Sequence, residues 1–149
     1  MKSRLTRAVR WGQRQILAVV FLFIALSNCA SPQEPQRWVP AEPYMEISPP
    51  LWYKEVWDST ARCVSQTIEL TGYRFEQIHW FVVFREGFWN GEDFVLAAWS
   101  WDERIWLTES RVNLKWVIAH EATHAMTKLG SHPADPFDRC VKPWWKSEG

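Results

Sequence analysis

The chain of 149 residues balances 17 Lys+Arg against 17 Asp+Glu and is 47% hydrophobic. That size and composition fit one globular domain and exclude a multidomain protein or a disordered tail. The zero net charge hides an asymmetry, because Lys2, Arg4, Arg7, Arg10 and Arg14 all stand in the first 28 positions, which carry no acid; the remainder has 12 basic and 17 acidic residues, a net charge of −5 that leaves no surplus of cations for a nucleic-acid partner.

The five charges precede an unbroken apolar run of 11 residues, Ile16 to Leu26. A spanning helix needs about 20 such residues, so residues 1–28 are expected to be a secretory signal peptide rather than a permanent anchor. Leu26-Ser27-Asn28-Cys29 resembles the bacterial lipobox. The resemblance implies cleavage before Cys29 and acylation of its sulfur, and at about 0.8 kcal/mol per buried CH₂ two or three acyl chains hold a protein on a bilayer. A plain secreted protein is the alternative. Residues 29–50 follow as an expected tether, since Ser31 to Pro50 holds six prolines and no apolar periodicity. The folded domain is then expected over 51–149, as a monomer.

From Leu51 to Leu70 the residues Trp52, Val56, Cys63, Val64, Thr67, Ile68 and Leu70 recur near helical spacing, between Pro49-Pro50 and Gly72. This predicts a long helix with a glycine C-cap. Ile78 to Phe84 is dense in aromatic and β-branched residues and reads as a buried strand. Phe94 to Ala98 and Ile105 to Leu107 flank a polar Asp102-Glu103-Arg104 and predict a hairpin. Arg111 to Leu129 predicts a second helix, capped by Ser110 and ended by Gly130. The tail with Pro133, Pro136 and Pro143 reads as irregular. This order points to an α+β fold, two main helices packed on a small, mostly antiparallel sheet.

With Cys29 lipidated, Cys63 and Cys140 remain as a pair in an oxidising setting, so a disulfide is expected; two free thiols or a metal-ligating Cys are the alternatives.

The chemistry concentrates in His120-Glu121-Ala122-Thr123-His124. Histidines at i and i+4 lie one above the other on a helix face, so both imidazoles reach one point, where Zn²⁺ fits neutral nitrogen ligands. Glu121, one position round the helix, is placed to take a proton from water. A catalytic zinc takes a third protein ligand and keeps a fourth position open. His132 is the preferred third ligand, ahead of Asp135, Asp138 and Glu109, because a left-handed Gly130 would turn the chain back to the helix. His79 is read as a lining or surface residue.

His120-Glu121-Ala122-Thr123-His124, with Gly130-Ser131-His132-Pro133, Phe137 and Cys140 behind it and Cys63 and His79-Trp80-Phe81 before it, resembles a group of small bacterial zincin-like metallopeptidase lipoproteins. The resemblance covers roughly residues 51–142. It implies a minimal zincin-like domain with His120, His124 and His132 as zinc ligands and Glu121 as general base. The expected activity is zinc-dependent hydrolysis of peptide bonds in a peptide or protein substrate, by a protein lipid-anchored in the cell envelope on its periplasmic or extracellular face. The alternative is a zinc-stabilised surface lipoprotein that binds without catalysis. An exposed edge at Ile105-Trp106-Leu107 would seat an extended peptide. Trp99, Trp101 and Trp106 either line that groove or fill the core, and Tyr53, Tyr73, Arg85, His79 and Arg139 are the candidate oxyanion donors.

Overall fold

The structure is a computed structural model that describes residues 39–91 and 93–148. The signal peptide, Cys29 and the first part of the tether lie outside the described residues. In chain order the elements are β1 (Tyr44–Ile47), α1 (Leu51–Val64), β2 (His79–Val83), β3 (Phe88–Asn90), β4 (Asp93–Val95), β5 (Ala97–Ser100), β6 (Arg104–Thr108), α2 (Lys115–Thr127) and α3 (Lys142–Glu148). This is a small α+β fold. Its main sheet runs β1-β2-β6-β5, with β2 and β6 parallel and the other neighbours antiparallel, while β3 and β4 form a separate hairpin.

The folded part begins earlier than residue 51, because Tyr44–Ile47 pairs with β2 as an edge strand. Prolines at 43, 49 and 50 bracket these four residues, and a sheet edge tolerates the missing N–H groups. The Tyr44 ring meets Trp106 edge-on with centroids 4.9 Å apart. The hairpin is also shifted. Ala97–Ser100 pairs with Arg104–Thr108 as expected, but Phe94 and Val95 belong to β4 and turn back on β3 through Gly91 at φ 66°.

Alternation along the strands divides the core between two sheet faces. Trp80, Ile105 and Leu107 face the helices and pack with Tyr53, Val56, Trp57, Ile118, Ala122 and Met126. Val83, Ala98 and Trp106 face the other way and are covered by Phe88 of the β3–β4 hairpin. Helix α2 is buried on nearly every side, from Val117 to Thr127, with His120 alone half-exposed. Ala119, Ala122 and Ala125 let its neighbours approach closely.

Both helix ends differ from the sequence reading. Helix α1 stops at Val64 rather than near Leu70, with Ser65 as its C-cap. Its end is met by Arg139 from the tail, whose guanidinium donates to the Cys63 carbonyl (2.9 Å), the Gln66 amide oxygen (3.1 Å) and the Thr67 hydroxyl (2.6 Å). Such donors satisfy carbonyls that the next helical turn would otherwise take. Gly72 caps a different helix. Its N–H donates to the Met126 carbonyl at 2.8 Å and the Tyr73 N–H donates to the Ala125 carbonyl at 2.9 Å, closing the free end of α2.

A Cβ on Gly72 would lie 2.0 Å from the Ala125 oxygen and 2.6 Å from the Met126 carbonyl carbon, both backbone atoms. Gly72→Ala is therefore expected to cost at least about 2 kcal/mol by urea unfolding, combining overpacking with the loss of these caps. A change near zero would mean that the 72–73 backbone moves aside freely.

Helix α2 starts at Lys115 with Leu114 as N-cap, not at Ser110, because residues 108–114 form turns bonded through Arg111 N–H to the Thr108 carbonyl and Leu114 N–H to the Arg111 carbonyl. It ends at Lys128, which adopts the left-handed conformation (φ 55°) expected of Gly130 and donates its N–H to the His124 carbonyl at 2.8 Å. A non-glycine there costs roughly 1–2 kcal/mol. The Lys128 ammonium sits 4.8 Å from the Tyr73 ring centroid, a cation–π contact that offsets part of the cost.

The tail is helical rather than irregular: a short turn at Ala134–Pro136, a π-helical turn at Phe137–Val141, then α3. Cys140 in that turn is joined to Cys63 at the end of α1, the pairing expected from the sequence. No helix among the described residues is long and apolar enough to cross a membrane.

Candidate metal centre

His120 and His124 stand one turn apart on α2, and the chain reversal at Lys128 brings His132 back to face them. The three Nε2 atoms form a triangle with sides of 3.2 Å (His120–His124), 3.1 Å (His124–His132) and 3.0 Å (His132–His120). These three residues are close enough to hold a metal ion.

Two features fit that use. The Nδ1 of His124 donates to the Leu129 carbonyl, which leaves the Nε2 lone pair free and directed into the triangle. A triangle of this size lies on a circle of radius about 1.8 Å, close to a metal–imidazole bond length of about 2.0–2.1 Å, so His120, His124 and His132 would hold one ion jointly.

The electrostatics match a site built for neutral imidazoles. Burial, followed by the neighbouring His124 and His132, pushes the His120 pKa down to about 3. Burial likewise pushes His124 down to about 4, against the opposing pull of the Leu129 carbonyl. Neutral imidazole is the metal-binding form. Glu121 is only 4% exposed; burial raises its pKa to about 8, opposed by the backbone N–H of Trp99 donating to the carboxylate. A divalent cation beside it would stabilise the carboxylate and reverse that shift.

The remaining ligand candidates are engaged elsewhere. Asp135 pairs with Arg139 at 3.0 Å and Asp138 with Lys142 at 3.8 Å. Glu109 lies on a separate surface cleft with Glu42 and Arg85. His132→Ala is expected to lower bound metal from about one equivalent per chain to less than about a tenth, read by elemental analysis, since two imidazoles leave half the usual coordination sphere to water. Full retention would remove His132 from the ligand set.

The triad opens into a cleft of about 350 Å³ whose walls include Asn90, Asp93, Val95, Ala97, Trp99 and Trp101. Strand β5 forms one lip, and it is the edge of the main sheet opposite β1; β6, the expected edge, is internal between β2 and β5. Thr108 N–H donates to the Leu96 carbonyl. With the β5–β6 register, the alternation of an antiparallel pair then directs the backbone groups of Ala97 and Trp99 away from β6. Trp99 and Trp101 line the cleft, whereas Trp106 is fully buried on the opposite face.

None of the five expected oxyanion donors lines this cleft. The Tyr53 hydroxyl donates to the Val112 carbonyl and the Tyr73 hydroxyl to the Trp101 carbonyl. His79 is exposed and bonded to Glu46 at 2.7 Å, Arg85 lies on the separate cleft and Arg139 is committed to α1. The polar side chains that the hairpin tip does contribute are Asn90 and Asp93. Their signal in the sequence is faint: Asn90 lies two residues from the core residue Phe88, hence on the same face of the strand, just before the Gly91 turn.

Comparison of the chain with family models, with curated proteins and with solved structures finds no match to any of them.

Proposed function

We propose that this protein is a zinc-dependent peptidase, exported and tethered to the cell envelope through acylated Cys29, that hydrolyses extended peptides or proteins as a monomer. The observation that carries the reading is the conjunction at one cleft of three imidazole nitrogens within 3.2 Å of one another, a buried carboxylate next to them in sequence and an edge strand of the sheet. Structural zinc sites are closed by four protein ligands; His120, His124 and His132 form a group of three, and their open side favours the enzyme over the non-catalytic binding module.

Zinc held by His120, His124 and His132 would supply Lewis acidity, polarising a carbonyl and lowering the pKa of water towards about 7. The protein's own groups supply the rest. The outward backbone groups of Ala97 and the carbonyl of Trp99 pair with an extended substrate by strand addition, which fixes its scissile bond over the triad. Glu121, held by the Trp99 N–H, accepts the proton of the attacking water and returns it to the leaving nitrogen. The test is digestion of unfolded proteins by the zinc-loaded chain, with products identified by mass spectrometry. Cleavage that a chelator abolishes and zinc restores is the expected result; intact substrates under all conditions would leave only the binding module.

A further inference from the structure

We propose that Phe137 is a positioning residue for the metal centre: its ring backs the three imidazoles from the side away from the cleft and so directs the open coordination position towards substrate. This rests on the metal-site reading above and extends it to a residue outside the ligand motif.

Phe137 touches every member of the triad. Its ring centroid lies 5.2 Å from His120, 4.7 Å from His124 and 4.9 Å from His132, with interplanar angles of 58°, 50° and 65°. These separations fall in the range where tilted aromatic pairs attract. The residue is 8% exposed and is not among those lining the cleft, so it stands behind the rings, where a hydrocarbon face offers a cation neither a ligand nor room for water. His124 is further braced by Trp99, whose ring is parallel to it within 4° at 6.4 Å.

Phe137 is held by a part of the chain other than the metal-binding helix. Three residues on, Cys140 is bonded to Cys63 of α1, and Arg139 donates to the Cys63 carbonyl and to Gln66 and Thr67. The ring is therefore in place before an ion arrives. His132, which is exposed and reaches the triad from a loop, gains most from such a support, because an unbraced imidazole must lose rotamer freedom on binding.

The test uses Phe137→Leu, which keeps an apolar side chain at the site, alongside Phe137→Ala. Zinc affinity is measured by competition with a chromophoric chelator, and the site is loaded with Co²⁺ to read ligand geometry from its visible spectrum. The expected result is a 10- to 100-fold weaker zinc affinity in Phe137→Ala, as is typical for partners that orient ligands. Both variants are expected to give an altered Co²⁺ spectrum. Metal-free melting curves report any purely space-filling role, which would lower the midpoint and leave affinity and spectrum unchanged. Wild-type affinity and spectrum in Phe137→Leu overturn the proposal while the metal site stands. A wild-type chain that binds neither ion overturns the metal-site reading, and this inference with it.

Discussion

Glu121→Gln is expected to retain zinc at the wild-type stoichiometry and to hydrolyse peptides roughly 10²–10⁴-fold more slowly, the usual contribution of a positioned general base. The substitution is nearly isosteric, and the amide oxygen still accepts the Trp99 N–H that holds the carboxylate. What it removes is the capacity to take a proton from water. Because burial disfavours the charged carboxylate, the metal-free variant is expected to unfold at a midpoint no lower than that of the wild type. The measurements are single-turnover hydrolysis, zinc content and thermal unfolding on one preparation. Equal rates in the two proteins would remove Glu121 from the reaction. Lost zinc would make it a ligand.

Replacing Cys63 and Cys140 together by serine is expected to remove roughly 4–5 kcal/mol of folding free energy, the chain-entropy value for the long loop that their cross-link closes across 77 positions. Single domains are stable by only about 5–15 kcal/mol, so most of the margin goes. In a domain of this size the midpoint of thermal unfolding is expected to fall by at least about 15 °C. The bond joins the end of α1 to the turn that carries Phe137, so zinc affinity is expected to fall with stability. Urea unfolding of the double variant, under conditions where the wild type keeps its bond, measures the first effect. A loss below about 1 kcal/mol would show that Arg139 and the packing of Cys140 hold the tail without the covalent link.

The elements that were legible in the sequence are those set by short-range patterns. The buried strand around Trp80 announced itself through dense aromatic and β-branched residues, and the structure places it at His79–Val83. The two imidazoles of α2 were legible because helical geometry alone puts i and i+4 on one face. The disulfide followed from cysteine arithmetic. Helix limits were less legible: periodicity after Val64 continued to look helical, while Arg139, 75 positions later, supplied the donors that end α1. The left-handed turn fell on Lys128 because the backbone of Gly72 and Tyr73 already occupied the last carbonyls of α2, a long-range contact invisible to local propensity.

By itself, then, the sequence determined the chemistry: two imidazoles and a carboxylate on one helix, a cysteine pair to staple a small domain, and an α+β pattern to carry them. Tertiary structure alone decided that the turn returning His132 to the helix falls on Lys128, that β5 rather than β6 is the sheet edge beside the triad, that Tyr44–Ile47 joins the sheet, and that the Phe137 ring packs against all three imidazoles. The physical reason is range. Helical and strand periodicities are set by backbone geometry within a few residues, whereas strand order, chain reversal and ring contacts are set by which distant surfaces bury one another and which backbone groups they leave to be satisfied.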